Sequence, residues 1–461
     1  MFKSDTYIQR RKDLVKHLGS GIALFLGNDE SPMNYKDNTY HFRQDSSFLY
    51  FFGVDRPGLG AIIDVDSDQT IIFGDEHTID DIVWMGSVPS IADQASHVGV
   101  KTVLPLEKLV GTLGQALSKK QSIHYLPPYR QDNAIKLHKL LDKKLPDIAN
   151  DWSPSLVKAV ISLRAHKTDE EIQQIEKALR ITKDMHLAAI GLAKDGLTEA
   201  HLTGAAHGVS TTANVALAYP MILTVNGQTL HNHFHGNTLK KGQLVLADLG
   251  AESPLHYASD ITRTFPVAKT FTNQQKEVYE IVLKSQLLAI DMLKPGVRYR
   301  DVHLSACRII TEGLKSLGLM KGDTDEAIKN GAHAMFFPHG LGHMIGLDVH
   351  DMEDLGEKLV GYDSKTERSD QFGLKSLRLA RELEAGHVLT VEPGIYFIPE
   401  LIDRWQAENR CAEFIDFEKL KAYRNFGGIR IEDDCVMTQN GGRVLGEPIP
   451  KSIAEIEALR N

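Results

Sequence analysis

Residues 388–396 read VLTVEPGIY, and how that stretch is read decides the fold of the C-terminal half. The run is apolar enough for a buried strand. Leu389 and Val391 fall on one face, Thr390 and Glu392 on the other. A carboxylate in so apolar a strand is costly to bury unless it is paired or coordinated. Residues 428–434, GIRIEDD, pose the same problem, since Arg430 and Glu432 share a strand face. Both segments are expected as strands, over 388–397 and 428–438.

Three more metal-ligand types sit in similar settings. Asp248 ends the apolar run LVLADLG, Asp260 opens DITRTFP, and His343 lies in HGLGHMIGLDVHD, residues 339–351. Singly, each has an ordinary reading: a turn aspartate, a solvated glutamate, a packed histidine. Together, four carboxylates and one imidazole make an oxygen-rich donor set. Such a set suits Mn²⁺ or Co²⁺ and tolerates Zn²⁺, better than it suits Cu⁺ or an iron–sulfur cluster. Two divalent ions held roughly 3.5–4 Å apart need bridging carboxylates, and four acids can supply them. Such a pair lowers the pKa of a shared water and polarises a carbonyl.

The four stretches DLG…SDITRTFP, HGLGHMIGLDVHD, TVEPGIY and GIRIEDD, in this order, resemble the signature of the pita-bread metallopeptidases, which include aminopeptidase P, prolidase and methionine aminopeptidase. Residues 40–54, YHFRQDSSFLYFFGV, resemble the leading domain shared by aminopeptidase P and prolidase. The resemblance implies an α+β protein, with an N-terminal α/β creatinase-like domain ahead of a pita-bread catalytic domain. Carried over residue by residue, it implies Asp248 as a ligand of one metal, His343 and Glu392 as ligands of the other, and Asp260 and Glu432 as bridges. Glu392 would also carry the proton of the attacking water. His350 would donate a hydrogen bond near the scissile carbonyl and the departing proline nitrogen, and His231 would line the substrate pocket. Arg378 would contact the carboxyl side of the substrate. Arg430 would orient the bridging carboxylates from behind, and His339 would support the site rather than bind metal. The chain departs from the family pattern in the longer Asp248–Asp260 interval, in Asn232 after the pocket histidine, and in the long interval from Glu392 to Glu432. The extra residue is expected in a hairpin loop around 252–255, where it leaves the ligands in place.

At 461 residues the chain is too long for one ordinary core. Domains are expected at 1–165 and 166–461. The first is expected to hold strands at 22–26, 61–65 and 70–73 and a helix at 106–119. Thr168 with Glu171 is a capping-box pattern opening an amphipathic helix. Helices are then expected at 169–193, 198–212, 273–293 and 299–317, with strands at 244–249 and 262–267, and no short tandem repeat.

Lys and Arg number 52 against 61 Asp and Glu, a net charge of −9, which argues against nucleic acid or an anionic membrane as partner. Three cysteines make no disulfide framework and suit a reducing compartment. The charged N-terminal stretch has no signal-peptide core and no apolar run reaches membrane-span length, so a cytoplasmic protein is expected. HExxH is absent, which excludes a thermolysin-like zinc site.

The function expected from the resemblance is hydrolysis of an Xaa–Pro bond at a peptide N-terminus, with two divalent ions, Mn²⁺ first and Co²⁺ or Zn²⁺ behind it. The partners are proline-containing peptides, and since relatives are commonly homo-oligomers, the resemblance implies a dimer or tetramer. Prolidase, restricted to Xaa–Pro dipeptides, is the alternative. Creatinase and metal-free pita-bread binding proteins are disfavoured by the intact set of five ligand types. Methionine aminopeptidase is disfavoured by the large N-terminal region.

Overall fold

In the computed structural model, which describes residues 1–460, one compact unit comprises Met1–Arg164 with Asp354–Gly356. The other comprises Ala165–Glu353 and the chain from Glu357 onward. Among the described residues no helix is long and apolar enough to cross a membrane.

The first unit is built on a five-stranded sheet in the order β4-β3-β2-β1-β5. Its strands are β1 (Ile22–Leu26), β2 (Gly60–Asp64), β3 (Gln69–Phe73), β4 (Thr102–Leu104) and β5 (Ile123–His124). The central strands pair antiparallel, while β4 and β5 join the edges in parallel. Parallel pairing needs a crossover, which the helices Ile91–His97 and Lys108–Ser118 help provide. Ile22, Leu24, Ile62, Phe73 and Leu113 are buried in one cluster. The strands and helix expected here appear within two residues of their expected ends. β4 and β5, at 3 and 2 residues, are too short to show a period in sequence.

The second unit is two variations on one plan. In its first half, helices Asp169–Leu192 and Glu199–Thr212 precede the antiparallel sheet of β6 (Ile222–Thr224), β7 (Leu244–Leu249) and β8 (Ile261–Pro266). In the second half, helices Asn273–Asp291 and Tyr299–Ser316 precede β9 (Val388–Val391), β10 (Gly394–Tyr396), β11 (Gly428–Arg430), β12 (Asp433–Thr438) and β13 (Gly441–Val444). Thr168 caps the first helix in a reciprocal box with Glu171. Residues 239–250, LKKGQLVLADLG, and 383–394, LEAGHVLTVEPG, take equivalent places. The N–H of Gly196 donates to Leu239 O, as that of Gly296 does to Leu383 O. The echo is too distant in the chain to be a tandem repeat.

Each strand expected over 388–397 and 428–438 is in fact two. β9 pairs with β12, Val391 opposite Asp433, whereas β10 pairs with β11, Gly394 opposite Arg430. The break has a backbone cause. Pro393 has no N–H to give a ladder, the Glu392 N–H donates to Leu341 O (2.8 Å), and the Glu432 N–H donates to Thr262 O (3.1 Å). Glu392 and Glu432 therefore sit in the gap between two small ladders, where their side chains project together.

Candidate metal centre

Strand β7 is buried along its whole length, and its Asp248 lies opposite Thr262 of β8. Asp260 immediately precedes β8. The two aspartates converge on one hydroxyl, with Tyr219 Oη 2.5 Å from Asp248 Oδ1 and 2.6 Å from Asp260 Oδ1. A phenol carries a single proton and can donate fully to one of them only. The longer β7–β8 connection turns at Ser253–His256, with His256 at φ 64°, and does not separate the aspartates.

Glu432 is buried and accepts a hydrogen bond from Thr262 Oγ1 (2.6 Å). Burial, then the neighbouring Asp248, pushes Asp260 well above the usual carboxylate range. Burial, then Asp260 and Glu392, does the same to Glu432. Burial raises Glu392 to about 7. Asp260, Glu392 and Glu432 this close cannot all ionise in a dry pocket without further cations among them.

His343 sharpens the test of fit. Its Nδ1 lies 3.0 Å from the Met344 carbonyl, which only accepts, so the ring proton is there. Burial keeps the ring neutral by lowering its pKa. Nε2 thus presents a lone pair to Asp260 Oδ2 at 3.4 Å and Glu392 Oε1 at 3.6 Å. Acceptors facing acceptors require a cation or an extra proton between them. Asp260, His343 and Glu432 offer ligand atoms within 4.8 Å of one another. The donor set fits divalent metal.

The segment carrying His343 is not helical, and Gly342 allows its close approach to β9. A Cβ at Gly342 would lie 2.1 Å from Thr390 O. Arg430 is buried behind the cluster, its Nη2 on Asp248 Oδ2 (2.5 Å), its Nε donating to Thr262 Oγ1 (3.0 Å) and its Nη1 to Tyr396 Oη (2.9 Å). It was expected behind the bridging positions. It grips Asp248 directly and reaches Glu432 only through Thr262. Tyr396 donates in turn to His339 Nε2 (2.8 Å), whose Nδ1–H is held by Gly340 O. His339 therefore belongs to the wall, with Nδ1 3.7 Å from Glu392 Oε2.

The metal cluster lines a cavity of about 260 Å³ together with His231, His350, Ser376 and Arg378, and the His350–Arg378 side begins directly on the cluster, the His350 ring lying 4.2 Å from that of His343. Glu353, unread in the sequence, organises that side. Its Oε2 accepts from His350 Nδ1 (2.6 Å), and its Oε1 pairs with Arg378. The His350 hydrogen bond holds Glu353 down at about 2, while burial lowers His350 to about 4. With its proton on Nδ1 and the ring neutral, His350 offers the cavity a lone pair at Nε2. The donor role expected for it needs the imidazolium, which is the correction the Glu353 contact imposes. Tyr219, Thr262, Thr390 and Glu353 were all missed. Thr262 and Thr390 stand inside the stretches SDITRTFP and TVEPGIY without a role read for their hydroxyls, whereas Tyr219 and Glu353 lie outside every motif and gain their partners only from the fold.

Residues 173–439 match the metallopeptidase family M24, and residues 7–125 the aminopeptidase P N-terminal domain. A protein of Rattus norvegicus named Xaa-Pro dipeptidase is 34% identical, over 97% of this chain and 90% of its own. Escherichia coli aminopeptidase P, solved as a substrate complex of a variant, superposes with a TM-score of 0.82 at 30% identity, covering 99% of this chain and 98% of that one. Pseudomonas aeruginosa aminopeptidase PepP gives 0.81 at 28% identity, with the same coverage of both chains. A facing set of carboxylates and imidazole is what a divalent-metal peptidase needs, and on these matches the chain belongs to the metallopeptidase family M24, with an aminopeptidase P N-terminal domain ahead of its catalytic unit.

Proposed function

We propose that this enzyme removes the first residue of peptides whose second residue is proline, using two divalent ions, Mn²⁺ first among them. Asp248 would hold one ion, His343 and Glu392 the other, and Asp260 and Glu432 both. The observation that carries this reading is the bare Nε2 of His343 set against two carboxylate oxygens. When bound, the ions supply a polarised water and a Lewis acid for the carbonyl.

The chain's own groups supply the rest. Glu392, steadied by Thr390 Oγ1 at 3.4 Å, is placed to take a proton and pass it to the departing proline nitrogen. His350, fixed through Nδ1 by Glu353, presents Nε2 to the substrate. His231 lines the mouth beside Arg430. A proline ring has no N–H that needs an acceptor, and Leu230 and Pro338 give the cavity an apolar edge for it.

Arg378 bears on substrate length. A free guanidinium would clamp the carboxylate of a dipeptide, but here Glu353 already pairs with it. That supports longer peptides and aminopeptidase P activity. The 34% identity to a protein named Xaa-Pro dipeptidase favours the second reading, prolidase. The three cysteines are free thiols, which supports a cytoplasmic location. The exposed Val83, Trp84 and Met85 of the first unit support self-association into a homo-oligomer.

The deciding experiment compares kcat/KM for matched Xaa-Pro and Xaa-Pro-Xaa peptides at saturating Mn²⁺. Tripeptides cleaved at least as well as dipeptides are expected. Cleavage confined to dipeptides would leave prolidase, and cleavage of neither would remove the proline-peptidase reading. Replacing the substrate proline by alanine should lower kcat/KM roughly 10–200-fold, the scale of lost ring contacts.

A further inference from the structure

Behind the cavity wall lies a second cluster of a different chemical kind. His303 and Cys307 stand one turn apart on helix Tyr299–Ser316, and His333 lies in the 3₁₀ turn Ala332–Met335. All three are completely buried, and each offers a ligand atom within 4.8 Å of the others. Cys307 Sγ is 3.4 Å from His303 Nε2. The remaining ring nitrogens, Nδ1 of His303 and both of His333, have no hydrogen-bond partner. A neutral imidazole has one N–H to donate and one lone pair to fill. Buried, unpartnered nitrogens of this sort call for an explanation, and an ion that takes His303 Nε2 would fill the lone pair of one His333 nitrogen.

We propose that His303, Cys307 and His333 form a separate site for one thiophilic d¹⁰ cation, Cu⁺ or Zn²⁺. One thiolate and two imidazoles are the donors such ions select, in contrast to the carboxylate set of the cavity. The distances agree. With metal–sulfur and metal–nitrogen bonds of about 2.3 and 2.0 Å, two ligands of one tetrahedral ion sit about 3.5 Å apart. Binding removes the proton of the Cys307 thiol, so one proton leaves for each ion that enters and the sulfur–hydrogen bond gives way to a sulfur–metal bond. Thiolate, two neutral imidazoles and Cu⁺ sum to zero charge, which favours Cu⁺ in a dry site, while Zn²⁺ leaves a single positive charge there.

The site would brace the substrate cavity. The His333 carbonyl accepts the N–H groups of Phe336 and Phe337 at 3.0 Å each. The Phe337 ring lies between His303, 5.3 Å away, and His339, 4.8 Å away. An ion on His333 would thus tie the helix to the turn that leads into His339 and His343.

The test uses the full-length enzyme produced in medium supplemented with Co²⁺, standing in for Zn²⁺, or with copper under reducing conditions. Because carboxylates and imidazoles give no thiolate-to-metal charge-transfer absorption, that band reports this site whatever the cavity holds. One equivalent of thiolate-bound Co²⁺ or Cu⁺ is expected, kept in Cys411→Ser, lost in Cys307→Ser and weakened at least tenfold in His333→Gln. No thiolate-bound metal in the wild-type enzyme, under either supplement, overturns the proposal whether or not the variants fold. A band that persists in Cys307→Ser overturns it equally.

Discussion

The two halves of the catalytic unit share a plan and differ in what they add to it. In the first, β7 and β8 are consecutive strands joined by one turning connection, and their acids are aspartates, Asp248 and Asp260. In the second, the equivalent places hold Glu392 and Glu432, each one methylene longer and set at a break between ladders. The second half also carries a long excursion between helix Tyr299–Ser316 and β9, which bears His339, His343, His350, Glu353 and Arg378. The duplicated part supplies buried carboxylates on rigid strands. The unduplicated excursion adds His343 to that set, together with His350 and Arg378 on the substrate side. The carboxylates proposed to hold the ions therefore belong to what the halves share, while the fifth proposed ligand and most of the groups facing a substrate come from what only one half has.

The sharpest break of that comparison is at the two positions proposed as bridges, one from each half. Asp260→Ala and Glu432→Ala should each reduce activity by more than the about 10²–10³-fold that loss of one transition-state donor causes. Both should lose metal as well, because each removes a ligand to both ions. Asp248→Ala and His343→Ala, with one ion each to lose, should keep part of the metal. Elemental analysis alongside turnover reads both effects, and wild-type-like turnover in Asp260→Ala would sink the dinuclear assignment.

The substrate side of the excursion makes the opposite pattern. His350→Ala should depress kcat with metal occupancy near normal, since its Nδ1 is taken by Glu353 and its ring packs on that of His343. The full loss of about 10²–10³-fold requires the imidazolium to donate to the substrate, and a smaller loss goes with the neutral ring. Glu353→Gln should act in the same direction but less strongly, because the amide still touches Nδ1 while no longer holding it by charge. Loss of an ion from His350→Ala would move that histidine into the metal set and blur the division between the halves.

The division was only partly legible in sequence. Period and apolar runs place β1 to β3, β7, β8 and the four long helices, because each is long enough to show its pattern. The capping pair Thr168–Glu171 marks the start of the catalytic helices, and it forms as read. Asp248, Asp260, His343, Glu392 and Glu432 were legible as a set rather than singly, four carboxylates and one imidazole in ordered motifs that resemble a family signature. The strand breaks were not, since an apolar run carries no sign of where its hydrogen bonds will be diverted. Pro393 was the available clue. Tyr219 and Glu353 were invisible for a different reason: a tyrosine in an apolar stretch such as VALAYPMIL, residues 215–223, or a glutamate in a polar loop looks ordinary until the fold brings a second residue to it.

Tyr219 allows a finer test within the first half. Its hydroxyl stands behind both aspartates, and burial together with Asp248 and Asp260 keeps it protonated by raising its pKa. Tyr219→Phe removes that contact and leaves the ring. Metal affinity should fall about 10–100-fold, the usual consequence of losing an outer hydrogen bond to a ligand, with kcat at saturating metal changed less. The second half has no tyrosine in this role, as Thr262 of the first half holds Glu432 instead. Thr262→Val should therefore show the same loss at a residue that serves the opposite half. Unchanged metal affinity in both variants would mean that neither hydroxyl orders the carboxylates.

The smallest effect expected is one of stability, and it compares a buried histidine from each half. His186, whose Nε2–H donates to Ile261 O (3.0 Å), is lowered to about 3 by burial and then by the charge of Arg263. His387, whose Nδ1 accepts the Glu384 N–H (3.2 Å), is lowered to about 2 by burial and then by Arg381. In the unfolded chain both titrate near 6.5. Above that pH neither state takes a proton at these sites, so they contribute nothing to the pH dependence. Below it the unfolded chain binds protons that the folded chain refuses, and stability falls by about 1.4 kcal/mol per pH unit for each histidine. The fall should continue to about pH 3 for His186, wherever the fold survives. The carboxylates of the metal cluster pull the other way once chelated, because raised carboxyl groups take protons more readily folded than unfolded. Only the difference between wild type and His186→Gln or His387→Gln at each pH isolates the imidazole. Urea unfolding at pH 7, 6 and 5 should show each variant gaining on wild type by about 1.4 kcal/mol per pH unit below 6.5, whatever its offset at pH 7. A gap that stays constant across that range would mean that the ring takes up its proton inside the fold.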